Sequence, residues 1–210
     1  YADMTRADAG ETLARLADVP NVRGVRFSVA WDSDPAATFA PTPVPLDGEN
    51  LARNFRALGE LGLVFDCMLY PAQMHELAEL CERHPSTAVV VNHTGLPLEL
   101  HDPGLERWRA GMRRLAEVPQ VAVKISGLGM VRRDWTSEGA AWAAAVIRET
   151  VETFGTDRCM FASNYPVERL ASSYEATYGV YRRAVAHLPD GDRARLFGDN
   201  ARRIYRMQRG

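Results

Sequence analysis

The feature that most constrains this chain is a regular alternation of short apolar runs with longer segments of helical periodicity, carried from end to end. Strand-like runs occupy 22–30, 63–69, 87–93, 121–126 and 159–163. Between and around them, helical patterns cover 8–18, 49–61, 72–83, 104–117, 137–154, 170–187 and 190–206. In the second of these Leu51, Phe55, Leu58 and Leu61 share one face, and Gly62 supplies a C-cap. Strands separated by helices make βαβ units, and such units make a parallel sheet. No internal repeat, low-complexity stretch or linker interrupts the pattern, so 1–210 reads as one domain.

A parallel sheet of five strands can be an open, doubly wound sheet or part of a closed barrel. Side-chain parity favours the barrel. Val25, Phe27 and Val29 alternate with Arg26 and Ser28, and Val121, Val123 and Ile125 alternate with Lys124 and Ser126. Asp66, Met68 and Tyr70 share a face of their strand, and Phe161 opposes Met160, Ala162 and Asn164. Each strand thus has one apolar face for covering helices and one mixed face. A sheet covered by helices on both sides would read as continuous apolar runs. The polar residues Tyr70, His93, Ser126 and Asn164 fall at the C-terminal ends of their strands, the rim where parallel α/β folds place their chemistry.

Composition narrows the partners. Lys and Arg number 25 against 27 Asp and Glu, a net charge of −2 without the clustered basic excess of a nucleic-acid binder. No apolar run reaches the roughly 18 residues that span a bilayer, and no signal-peptide pattern opens the sequence. Three cysteines, Cys67, Cys81 and Cys159, show no CxxC spacing, which fits a reducing compartment and a cytoplasmic location. The expected partner is a small-molecule substrate, with neither nucleic acid nor membrane.

Among individual residues, His93 follows the apolar strand Val89-Val90-Val91 and can bind a metal or act as general acid or base; the alternative is a hydrogen-bonded core histidine. Arg26 and Lys124 are cations inside strand patterns, so each must pair with a carboxylate or face a cavity that receives anions. Asp66 is the natural partner for Arg26, and the competing role for Arg26 is bidentate binding of a substrate carboxylate. Lys124 is a general acid, a charge clamp or an interior salt bridge. Tyr70 either donates to a substrate carbonyl or packs as a mouth aromatic. Gln73 and His75 follow it in the turn to the next helix, where solvent contact is their default. Asn164 caps the turn before a helix whose first-turn acid is Glu168. His84, His101 and His187 lie at helix ends or in loops and receive no role. The sequence Gly127-Leu128-Gly129-Met130 lacks the rest of a phosphate-binding pattern, and there is no GxSxG elbow.

The order and spacing of several short pieces carry a resemblance. They are Tyr1-Ala2-Asp3-Met4, Arg23-Gly24-Val25-Arg26, Leu63-Val64-Phe65-Asp66, Tyr70-Pro71-Ala72-Gln73, Val91-Asn92-His93-Thr94-Gly95 and Val123-Lys124-Ile125-Ser126-Gly127-Leu128. Arg158 through Pro166 and Phe197-Gly198-Asp199-Asn200-Ala201 complete the set. Together they resemble the amidohydrolase-related family of (β/α)8 TIM-barrel hydrolases, which includes lactonases of sugar acids and of pyrone dicarboxylates. The resemblance implies that barrel strands four to eight are present. It also implies that this chain is a piece of a longer protein, or else is completed by partner chains, because the family's opening H-x-H metal strand is absent.

The resemblance further implies site residues. His93 matches the histidine after strand six that binds metal or sits over the lactone, while Arg26, Tyr70 and Gln73 match positions around the substrate. Lys124 joins them as a substrate-side cation. Asn164 stands where many members carry a water-activating Asp, and an amide is neither a useful base nor a strong metal ligand. The family implies a divalent metal, zinc or manganese; with Asn164 in place, either His93 supplies the base without metal or the activity is altered. The expected function is hydrolysis of a small carboxylated or sugar-acid lactone, catalysed by His93 and Asn164. Decarboxylation on the same barrel and ligand binding without turnover are the competing readings.

Overall fold

The structure, a computed structural model, describes residues 1–34, 38–97, 104–135 and 137–207. His101 lies outside them. Five strands run β1 Gly24–Ser28, β2 Val64–Met68, β3 Val89–Val91, β4 Val121–Ile125 and β5 Cys159–Phe161. They form one sheet in sequential order with every neighbouring pair parallel, Arg26 lying beside Asp66 and Val123 beside Cys159. The helices are α1 Ala9–Ala17, α2 Glu49–Glu60, α3 Met74–Arg83, α4 Gly104–Ala116, α5 Leu128–Val131, α6 Ser137–Phe154, α7 Tyr174–Ala184, α8 Asp190–Ala194 and α9 Asn200–Ile204. Single 3-10 turns precede α3 at Pro71–Gln73 and α7 at Val167–Leu170, and a π turn at Arg195–Asp199 joins α8 to α9.

Sequential order in an all-parallel sheet puts successive crossovers on the same face, as in a barrel and unlike a doubly wound sheet. The side chains obey the parity read from the sequence. Val25, Phe27, Phe65, Cys67, Val89, Val91, Val121, Val123, Ile125 and Cys159 join one buried cluster with Leu13, Leu51, Phe55, Leu77, Trp108, Ile147 and Tyr181 of the helices. Val64, Val90, Ala122 and Met160 point the other way and form a second cluster, packed against Ala201, Ile204 and Tyr205. Helix α9 and the residue after it thus cover the inner face of the sheet.

Two polar side chains secure the lower edge. Asn200, buried, donates from Nδ2 to the carbonyls of Thr156 (2.6 Å) and Cys159 (2.8 Å), tying α9 to the entry of β5. Arg158 spreads its guanidinium over the carbonyls of Ala116, Val118, Val121 and Phe154 at 2.9–3.4 Å, closing the ends of α4 and α6. All three cysteines are free and buried, and burial pushes the Cys81 and Cys159 thiols up to about 12. No helix among the described residues is long and apolar enough to cross a membrane.

The centre of the inner face is charged. Lys124 reaches across β3 to Asp66, with Nζ 3.0 Å from Oδ1 and 3.2 Å from Oδ2, and both side chains are nearly enclosed at 14 % and 13 % exposure. The Tyr205 hydroxyl donates to the same carboxylate at 2.8 Å. The pairing of Arg26 with Asp66 expected from the sequence is therefore secondary. Arg26 stands in register beside Asp66, yet its guanidinium is 4.0 Å away, half-exposed, and also donates to Asn92 Oδ1 at 3.4 Å. The long ammonium stem of Lys124 delivers a charge to the enclosed side of Asp66, which Arg26 approaches only from the open side.

Removing one member of an enclosed pair strands the other, at a cost of about 3–5 kcal/mol. Asp66→Asn leaves Lys124 without its carboxylate, whereas Lys124→Met leaves Asp66 with the Tyr205 hydroxyl and Arg26. Urea denaturation will therefore rank Asp66→Asn as the more damaging change; equal losses or the reverse order would contradict this account.

Candidate active site

The C-terminal ends of the strands gather the polar rim. After β3 the chain enters a turn in which His93 (φ 54°), Thr94 (φ 56°), Gly95 (φ 66°) and Leu96 (φ 46°) are all left-handed. Each non-glycine residue in that region costs about 1–2 kcal/mol, so tertiary contacts must hold it there. The Thr94 hydroxyl donates to Ser126 O at 3.2 Å and accepts from Ser126 N at 3.4 Å, and Trp108 Nε1 donates to Thr94 O at 2.8 Å. Gly95 suits this turn because its φ of 66° strains any side chain, and a Cβ there would also crowd Met74 Cε.

This backbone decides where His93 goes. By strand parity it belongs with Val89 and Val91 on the helix side. The positive φ brings its ring to Ser126, with Nδ1 3.0 Å from Oγ. Gly127 makes the room, because a Cβ there would lie 2.8 Å from the His93 ring. The imidazole is 6 % exposed, and its pKa falls to about 4 through burial first and then the cations Arg26 and Lys124, with Asp66 opposing. His93 is thus neutral at physiological pH. The Ser126 contact is the one hydrogen bond of its ring among the described residues.

Asn164, three residues past β5, lies in the same unusual backbone region, φ 54°. Its Nδ2 donates to Glu168 Oε2 at 3.3 Å and to Met130 Sδ at 3.0 Å. Glu168 is the first-turn acid expected from the sequence, in the 3-10 turn Val167–Leu170. It is also only 1 % exposed, with Oε1 accepting from Gly129 N at 2.6 Å. Burial raises its pKa, and the Gly129 and Asn164 N–H groups work against that rise.

Tyr70 is buried beside Ala30 and Leu96, with Met68, Met130 and Val131 packed around them, and its hydroxyl is pushed up to about 12 by burial and by Asp32. Gln73 has both polar ends committed: Oε1 accepts from Tyr70 N at 2.8 Å and Nε2 donates to Trp31 O at 3.1 Å. Gln73 lines a cavity of about 520 Å³ with Trp31, Val44, Pro45 and Glu79, and His93 is not among its lining residues. His75 is exposed and faces Glu79 at 3.4 Å. The structure therefore brings together His93, Ser126, Asp66, Lys124 and Arg26 through β-strand neighbours, and Asn164, Glu168 and Met130 through the loops beyond β4 and β5.

Two contributors, Thr94 and Asn92, were not singled out from sequence, and Glu168 was read only as a helix acid. Asn92 is fully buried, and its Nδ2 has no hydrogen-bond partner among the described residues, while Oδ1 accepts from Arg26. The available signal was the pair Gly127 and Gly129, whose missing side chains leave space for the His93 ring and the Glu168 carboxylate.

Five parallel strands in sequential order, with the long helices packed along one face, define a protein of the parallel α/β-barrel class, in which chemistry sits at the C-terminal strand ends. The chain belongs to the amidohydrolase family, whose model, described as "Amidohydrolase", matches residues 1–207. An uncharacterized protein, y4mH, of Sinorhizobium fredii is 37 % identical over 207 residues, covering 99 % of this chain and 68 % of that protein. An L-fucono-1,5-lactonase of Burkholderia multivorans is 30 % identical over 195 residues, covering 89 % of this chain but 63 % of its own length. The crystal structure of a Burkholderia multivorans amidohydrolase with bound zinc superposes with a TM-score of 0.84 at 28 % identity, covering 99 % of this chain and 72 % of that one.

Zinc in that structure raises the question of a metal here. Among the described residues no three His, Cys, Asp or Glu side chains converge. His93 stands alone as a ring donor, Asp66 is taken by Lys124, and Asn164 turns its Nδ2 to Glu168. This donor set does not by itself fit a metal.

A neutral, buried His93 binds its proton more weakly folded than unfolded. Between about pH 4 and pH 6.5 its contribution makes stability rise with pH; it is complete above 6.5 and lost as pH falls through 4. NMR titration will show the His93 ring unprotonated down to pH 5, and a midpoint near 6.5 would refute the buried environment described here.

Proposed function

We propose that the chain forms the His93-bearing part of a hydrolase that opens small carboxylated or sugar-acid lactones. The observation that carries this reading is the neutral His93 ring, held in a strained turn at the strand ends beside Arg26. The family membership and the lactonase name of a relative support it.

In this reading the lactone carbonyl lies at the rim, and Arg26, half-exposed and only loosely held by Asp66, receives the substrate's carboxylate. Water adds to the carbonyl carbon while His93 takes its proton at Nε2. The ring C–O bond breaks, and the same proton passes to the departing ring oxygen, giving an open hydroxy acid. Ser126 holds Nδ1 and fixes the ring orientation. Burial, and after it the cations Arg26 and Lys124, keeps the resting imidazole unprotonated, so it is available as an acceptor. Asn164 orients the water, and the Tyr70 region with Met68 and Met130 supplies an apolar floor for the sugar-acid carbons.

The full protein, assayed on a panel of sugar-acid lactones by acid release, tests the roles. His93→Gln will lower kcat by about 100- to 10,000-fold, the usual worth of a positioned acid–base group. Arg26→Met will raise KM with a smaller change in kcat. Undiminished lactone opening by His93→Gln would end this assignment, and release of CO2 in place of acid would identify a decarboxylase.

A further inference from the structure

The proposed chemistry leaves one residue unexplained: a carboxylate buried at 1 % exposure directly behind Asn164. Enclosing a carboxylate is costly unless its oxygens are occupied. Glu168 Oε1 takes the Gly129 N–H at 2.6 Å and Oε2 takes the Asn164 amide at 3.3 Å. The site is built around it. A Cβ on Gly129 would lie 2.6 Å from Oε1, so only glycine lets the carboxylate reach that backbone. Glu168 N also donates to Asn164 O at 3.0 Å, closing the left-handed Asn164 turn from the backbone side.

A side-chain amide has two donors on nitrogen and acceptor capacity on oxygen, and its neighbours decide which end faces outward. Here both Nδ2 hydrogens of Asn164 are used, on Glu168 Oε2 and Met130 Sδ. Among the described residues nothing donates to Oδ1. We infer that Glu168 is a positioning residue that fixes the Asn164 amide with Oδ1 toward the rim, so that Asn164 presents to water the acceptor a rim carboxylate would otherwise provide. This rests on the lactone-opening reading for its catalytic consequence, though not for the geometry. Oδ1 takes a hydrogen bond from the attacking water and accepts no proton; the proton transfer stays with His93.

The inference has a specific signature. In Glu168→Gln the new amide can accept from Gly129 N with its oxygen only by aiming its NH2 at Asn164, which turns Nδ2 outward and hides Oδ1. The volume is unchanged. Lactone turnover should fall 10- to 100-fold in kcat with KM within threefold. Adding Asn164→Asp to Glu168→Gln should recover at least tenfold, because the introduced carboxylate accepts on both oxygens and suits an NH2 behind it. Asn164→Asp alone, which faces Glu168 with a like charge, should not improve on the parent protein. A loop staple without a positioning role would show no such rescue.

The geometry is read separately from activity by the Asn164 side-chain amide signals in 1H–15N spectra, compared between the parent protein and Glu168→Gln. Loss of their hydrogen-exchange protection in the variant supports the inference. Unchanged Asn164 signals overturn it, as does a moved amide with undiminished kcat, or a double variant no better than Glu168→Gln. If the parent protein opens no lactone, the lactonase reading falls while the amide signals still decide the orientation of Asn164.

Discussion

One carboxylate organises the inner face of this sheet. Asp66 accepts from Lys124 of β4 and from the Tyr205 hydroxyl that follows α9, with Arg26 of β1 at its margin. The Lys124 ammonium also lies over the Tyr205 ring, 5.2 Å from its centroid. These contacts join the second and fourth strands across β3 and fasten the C-terminal helix to the middle of the sheet. An enclosed carboxylate tolerates its loss of water only because several donors replace it. The apolar layer beneath, Val64, Val90, Ala122 and Met160, excludes the water that would loosen the arrangement.

Above that charged layer the rim is built on backbone that most residues avoid. His93 and Asn164 both sit at positive φ, two strands apart, and the loop after β4 lies between them. That loop contributes Ser126 to one and Met130 to the other, while its two glycines give the His93 ring and the Glu168 carboxylate their space. The β4 loop therefore sets the spacing of the rim, although it carries no acid or base of its own. Burial first, and then charge from the layer below, keeps the His93 imidazole neutral.

Much of the scaffold was legible in the sequence because its signals are local. Alternation in Val25–Val29 and in Val121–Ser126 assigned each residue to the correct face, and the expected strands and long helices are present with slightly trimmed ends. The last helical pattern broke into α8, a π turn and α9, which hydropathy alone does not reveal. What stayed hidden depended on reach. Arg26 and Lys124 read alike as interior cations, and only the crossing of β3 by the Lys124 stem shows which one Asp66 holds. Glu168 carried the pattern of a first-turn acid, and its burial follows from a glycine thirty-nine positions earlier in the chain. His93 was placed at the rim, but by parity it would face the helices; four successive left-handed residues redirect it.

That left-handed turn also bears on how the protein would respond to selection for heat tolerance. Thr94 occupies a conformation that glycine adopts freely, so replacing it would remove about 1–2 kcal/mol of strain. The same change deletes the hydroxyl that bonds Ser126 on both sides of its peptide unit. Leaving a buried backbone group unpaired costs about 1–3 kcal/mol, at least as much as the strain released, so selection for heat tolerance would find no gain at this position. One strained side chain thus serves the durability of the fold and the fixed place of the histidine together.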